Sequence, residues 1–185
     1  MLYIHGLGHF HPENVIDNAF LESLDIGTTS QWILDRVGIK SRRTVLPLDY
    51  IKATKNKDLR GAQEAALYSN AETGRRAALM AIERAGIKPS DIGMVVAGGC
   101  SPDTCIPAEA ARISKLLGIS GPAFDLHSAC STFGAQVHVL ETELLSQAAA
   151  AQRIAESAYR YGERGILEWL DAQRTYRAAR NELIA

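Results

Sequence analysis

Apolar and polar positions alternate along this chain in two different textures, and the change falls near residue 140. In the first texture short apolar runs alternate with amphipathic stretches. Residues 2–7 carry Leu2, Ile4 and Leu7 and predict a first strand. Thr29 and Ser30 can cap a helix that runs to about Val37 and stops at Gly38. Residues 44–70 are polar, Lys- and Asn-rich around Asn56-Lys57-Asp58, and partly helical near 63–68. An amphipathic helix spans 71–85 and ends at Gly86. Residues 94–97 predict a short buried strand, Pro107 opens a helix that reaches Leu117, and 122–126 predict a further strand. Strand and helix alternate, which implies a parallel-type α/β layer.

The second texture is a helical stripe. Val137, Leu140, Leu144, Ala148, Ala151, Ala155 and Ala158 step by three or four residues, the spacing of one face of a helix. Small Ala residues on that face let another helix come close. Gly162 and Gly165 interrupt the run, and Ile166, Trp169, Ala172, Tyr176, Ala179 and Leu183 then mark a second helical face. Helix, Gly turn and helix predict an antiparallel hairpin. No Gly or Pro lies between Ala135 and Tyr161, so a single helix is expected from just after Cys130 to about Tyr161. It should project from the α/β body, with its stripe in one phase.

Between the two textures stands the strongest chemical signal. The apolar stretch Phe124-Asp125-Leu126 runs into His127-Ser128-Ala129-Cys130-Ser131-Thr132-Phe133. A thiol where a strand gives way to a helix meets the helix's unpaired N–H groups and the positive end of its dipole, and both favour the thiolate. That reading makes Cys130 a nucleophile. The alternative is a buried cysteine acting as a small hydrophobe.

Composition narrows the field. Hydrophobic residues make up 46% and charged residues 22% of the 185, ordinary for a globular chain. Residues 1–140 carry 14 basic and 14 acidic side chains, and 141–185 carry 6 and 7, so charge supplies no reason to expect nucleic acid. The N-terminus lacks a charged region followed by an apolar core, which predicts no signal peptide and a cytoplasmic protein. No run is long enough to span a membrane. Cys100, Cys105 and Cys130 do not form a disulfide framework, and Cys100 and Cys105 lack the partners a zinc site needs, so no metal is expected. His138 lies eight residues past Cys130, about 12 Å along a helix and out of reach. Gly98-Gly99 follows a predicted strand but lacks the Lys of a phosphate-binding loop.

Residues 1–140 resemble the N-terminal half of the β-ketoacyl-acyl-carrier-protein synthase III family of the thiolase superfamily. The motifs come in the family's order: Tyr3-Ile4-His5-Gly6-Leu7-Gly8, Gln31-Trp32-Ile33 with Arg36-Val37-Gly38-Ile39 and Arg42-Arg43, Ala85-Gly86-Ile87-Lys88-Pro89-Ser90-Asp91-Ile92, Ile106-Pro107, and Ser128-Ala129-Cys130. The resemblance implies an acyl transfer from acyl-CoA to Cys130, then condensation with a malonyl carrier protein. It implies Trp32 against the CoA adenine, Thr28 and Arg36 near the nucleotide, and Ile106 reaching a neighbouring subunit's acyl pocket. No cofactor is held permanently; acyl-CoA and a phosphopantetheine carrier protein are the implied substrates. The family's catalytic His and Asn belong to the second half of its fold, so condensation is not expected of these residues alone.

The hairpin resembles the periplasmic helical hairpin of outer-membrane efflux channel proteins, through Tyr159-Arg160-Tyr161-Gly162-Glu163-Arg164-Gly165 and Leu170-Asp171-Ala172-Gln173-Arg174. In that family a Tyr and an Arg flank the turn glycine, and Tyr159, Gly162 and Arg164 fall on those positions. The chain thus reads as a chimera: α/β, an incomplete thiolase-like half-domain over 1–140, then a long α-helical hairpin over 141–185. A helical interaction module, self-associating through the hairpin, is the competing reading of its function.

Overall fold

The structure is a computed structural model and describes residues 3–55, 57–162 and 165–182. Its α/β body begins with β1 (Asn14–Asp17), antiparallel to β2 (Ser41–Thr44), with Asn14 opposite Thr44 and Asp17 opposite Ser41. Between them lie α1 (Asn18–Ser23) and α2 (Ser30–Val37). Thr29 caps α2 by accepting a hydrogen bond from the Trp32 N–H at 3.1 Å. Gly38 ends it at φ 67°, a left-handed conformation that glycine adopts freely. The polar stretch forms α3 (Leu48–Thr54) and α4 (Leu59–Ala65).

The second layer carries the site. α5 (Asn70–Ala85) packs on α6 (Glu109–Leu117), and α6 packs on the parallel pair β3 (Val95–Ala97) and β4 (Ala123–Asp125). Asp125, the last residue of β4, caps α6. Its two carboxylate oxygens accept from the N–H groups of Glu109 and Ala110, both at 2.8 Å. That charge-assisted pair ties the end of β4 to the start of α6. Apolar burial is thin. Leu24, Ile33, Ile51, Ala71, Ala110 and Ile119 are buried, and no large side chain among the described residues is wholly so.

Two expectations about strands need correction. Residues 3–7 form no strand. A strand is defined by its ladder partner, and this segment has none among the described residues. Its glycines lie on α5 instead: a Cβ on Gly6 would stand 2.2 Å from the Ala81 carbonyl oxygen, and one on Gly8 1.9 Å from that of Ala77. Residues 95–97 do form a strand, but it is half-buried rather than buried, with β4 as its one neighbour among the described residues.

The helical tail also departs from the expected single α-helix. α7 (Thr132–Val139) continues through a π-helical turn at Leu140–Leu144 into α8 (Leu145–Arg160). The helical path is unbroken, but a π turn holds an extra residue and slips the phase of the helix beyond it. Of the stripe residues in α8, Ala151 is exposed, whereas Ala155 and Ala158 are half-buried as expected. α9 (Ile166–Glu182) packs back along α8, and the Tyr159 and Trp169 rings stack 5.5 Å apart at 7°. Gly162 makes the turn at φ 73°.

Candidate functional site

Cys130 sits at the exit of β4, where the chain turns into α7 through a 3-10 turn, Ala129–Ser131. The thiol is exposed. Ala129, immediately before it, has φ 45°, a left-handed conformation that costs an alanine about 1–2 kcal/mol. Strain of this kind collects where a side chain must be held in a particular direction. Local hydrogen bonds hold the turn. The Ser131 N–H and hydroxyl both donate to the Ser128 carbonyl, at 2.9 and 2.8 Å, and the Ser128 and Ser131 hydroxyls lie 2.8 Å apart. Thr132 lies beneath them, accepting from the Ser128 N–H at 2.9 Å and donating to the Ala129 carbonyl at 2.8 Å.

The floor of this turn rests on Gly98, just after β3. A Cβ there would fall 2.2 Å from the Leu126 carbonyl oxygen, 2.4 Å from Thr132 Cγ2 and 2.6 Å from Gln136 Nε2. Only glycine lets α7 approach β3 so closely. His127 is held by neighbouring elements. Its Nδ1 accepts from the Gly99 N–H at 3.0 Å and its Nε2 lies 3.5 Å from an Asp125 carboxylate oxygen. The acceptor nitrogen, Nδ1, is thereby already occupied.

The other candidates are spread over the body. Trp32 is 54% exposed on α2, and the Arg36 guanidinium stands 5.8 Å over its ring, a cation–π pair on an open face. Thr28 precedes that helix, half-buried, with its hydroxyl oxygen buried and unpartnered. Ile106 is 89% exposed on the loop before α6. Tyr159 and Gly162 take part in the α8–α9 turn, and Arg164 lies outside the described residues. An open cleft of about 320 Å³ is lined by Asn70, Thr73, Gly99, Cys100, Glu109 and His127 among others, and none of the candidate residues lines it. Among the described residues no cluster of three His, Cys, Asp or Glu side chains could hold a metal ion, and no helix is long and apolar enough to cross a membrane. Ala129 and Thr132 stand in the Cys130 motif, but their part in shaping the turn is not legible in the sequence. Nothing in an alanine marks a positive φ, and a threonine inside a helix pattern carries no distinct signal.

No protein-family model matches the chain. The β-ketoacyl-[acyl-carrier-protein] synthase III of Campylobacter jejuni (strain RM1221) is 35% identical over 138 residues, 74% of this chain and 36% of the relative. Its counterpart in Escherichia coli (strain K12) is 34% identical over 129 residues, 69% and 34%. Among solved structures, AbyA1, a tetronic acid condensing enzyme, superposes with a TM-score of 0.64 at 26% identity, covering 78% of this chain and 40% of that one. The fold is therefore of the thiolase-like α/β class. Within that class, about 70% of the chain is homologous to β-ketoacyl-acyl-carrier-protein synthase III. The chain spans about a third of the length of these curated relatives, 36% of the first.

Proposed function

We propose that this chain is an acyl-accepting module of the synthase III type, with Cys130 as the acceptor. The observation that carries the reading is the exposed thiol on a strained turn between β4 and α7, inside the homologous segment. The Cys130 sulfur attacks the carbonyl carbon of an acyl-CoA thioester. The tetrahedral intermediate collapses, the carbon–sulfur bond to CoA breaks, and CoA leaves with the proton that Cys130 gave up. The products are S-acyl-Cys130 and free CoA. Trp32, with Arg36 over its ring, offers an aromatic face for the adenine, and Thr28 an unpartnered hydroxyl beside that helix. Ile106, 89% exposed on the loop before α6, is free to make the contact with another subunit that the resemblance implies. A phosphopantetheine carrier protein would present the second substrate.

We further propose that these 185 residues stop at acyl transfer. Condensation needs side chains that stabilise an enolate, and the His127 ring is already anchored, its Nδ1 bonded to the Gly99 N–H and its Nε2 lying 3.5 Å from the Asp125 carboxylate. The test is incubation with acyl-CoA, then with malonyl carrier protein. One equivalent of CoA should be released by the wild type and none by Cys130→Ser. Steady formation of a β-ketoacyl product would overturn the second statement, and wild-type release from Cys130→Ser the first.

A second reading rests on the tail. Ile154 is exposed on α8, Leu167 and Leu170 on α9, and Tyr161 at the turn between them. This exposure supports reading residues 141–185 as a self-association module resembling the efflux hairpin, with Tyr159 and Gly162 at the described part of its turn.

A further inference from the structure

We infer that Thr132 is the positioning residue of Cys130: its buried hydroxyl fixes the strained turn that presents the thiol. The inference rests on the acyl-transfer reading for its purpose but not for its geometry. One hydroxyl spans the strained residue from both sides. It accepts from the Ser128 N–H at 2.9 Å and donates to the Ala129 carbonyl at 2.8 Å. That carbonyl belongs to the peptide joining Ala129 to Cys130, so the bond sets the plane from which the Cys130 side chain departs. Ala129 holds φ 45° against its own preference, and a bond on each side of it is the restraint that such a conformation needs.

The hydroxyl is itself held in place. Thr132 is β-branched and stiff about its first side-chain torsion. Its methyl group occupies the space that a side chain on Gly98 would claim, 2.4 Å from where that Cβ would stand. With the methyl seated, the oxygen has one direction left, toward the turn. Ser128 and Ser131 also bond within the turn, but both are exposed and water can replace them. Thr132 is only 9% exposed, so water cannot readily take the place of its two bonds.

The test compares Thr132→Val, which keeps the shape and loses the hydroxyl, with Thr132→Ser, which keeps the hydroxyl. The readout is the alkylation rate of Cys130 by limiting iodoacetamide, divided by the rates of Cys100 and Cys105 in the same chain. Thr132→Val should lower that ratio about fivefold, equal to about 1 kcal/mol at 1.36 kcal/mol per tenfold. Thr132→Ser, which keeps both bonds but not the methyl that seats them, should lose less than Thr132→Val, about twofold. A merely structural role would lower the melting temperature of both variants and leave the ratio unchanged, and that result overturns the inference. Should Thr132→Val fail to fold, the pair is repeated in an Ala129→Gly background, where glycine takes the positive φ without cost. There the hydroxyl should matter less than twofold (about 0.4 kcal/mol at the same conversion), and a full loss in that background also overturns the inference. Failure of the acyl-transfer reading shows separately, as a wild-type Cys130 that takes no acyl group from acyl-CoA.

Discussion

Replacing Gly98 by alanine should loosen the junction between β3, β4 and α7. The added Cβ would lie 2.2 Å from the Leu126 carbonyl oxygen, 2.4 Å from Thr132 Cγ2 and 2.6 Å from Gln136 Nε2. The carbonyl cannot step aside cheaply. The Leu126 N–H is bonded to the Ala97 carbonyl at 2.8 Å, and the Gln136 amide reaches toward the Leu126 carbonyl at 3.4 Å. Overpacking of this kind costs about 1–3 kcal/mol, offset by about 0.4–1 kcal/mol from the stiffer unfolded chain. With a backbone carbonyl as the nearest neighbour the cost belongs at the top of that range, so the net loss is about 2 kcal/mol, and at about 2–4 °C per kcal/mol for this chain length the melting temperature should fall roughly 4–8 °C. Gly99→Ala is the matched control: nothing lies within 4 Å of a Cβ there, so it keeps only the unfolded-chain gain and should melt at or up to about 1 kcal/mol above the wild type. Circular dichroism melts of the three proteins decide the matter. A Gly98→Ala that melts with the wild type, or a Gly99→Ala that falls as far, would refute the packing argument.

The Glu13 carboxyl is held below its ordinary value by its own backbone N–H and then by the Tyr68 hydroxyl, 2.9 Å away. A lowered carboxyl contributes stability above its unfolded-state value and loses it as pH falls through the lowered one. Tyr68→Phe should therefore weaken the loss of stability on acidification below about pH 4.5, measured by urea melts across that range; an unchanged pH profile counts against it. In the tail, removing residues 141–185 should abolish any concentration-dependent association seen by sedimentation. Association that survives the deletion would place the contact in the α/β body.

Much of the fold was legible because local chemistry decides it. Thr29, Gly38 and Gly86 mark helix ends through side-chain capping and a left-handed glycine, and both effects act within a few residues. The Cys130 turn was legible for the same reason, as an apolar run giving way to a helical one. The features that escaped depend on distant partners or on backbone detail. Residues 3–7 have the residue types of a strand, yet a ladder needs a neighbour that no local pattern supplies. Asp125 caps α6 from another element, and its partners Glu109 and Ala110 lie 16 and 15 residues away. The π turn at Leu140–Leu144 escaped because apolar spacing counts side chains, whereas the turn is defined by backbone bonds one residue longer. Ala129 gave no warning of its positive φ.

The most direct test of the account is to map where a limiting amount of acyl-CoA leaves its acyl group. Cys100, Cys105 and Cys130 are all exposed, so each is open to reaction and exposure alone cannot favour one. The account predicts a thioester on the peptide carrying Cys130, absent from Cys130→Ser, with Cys100 and Cys105 left unmodified at early times. Equal acylation of the three thiols, or acylation of Cys100 or Cys105 ahead of Cys130, would contradict it.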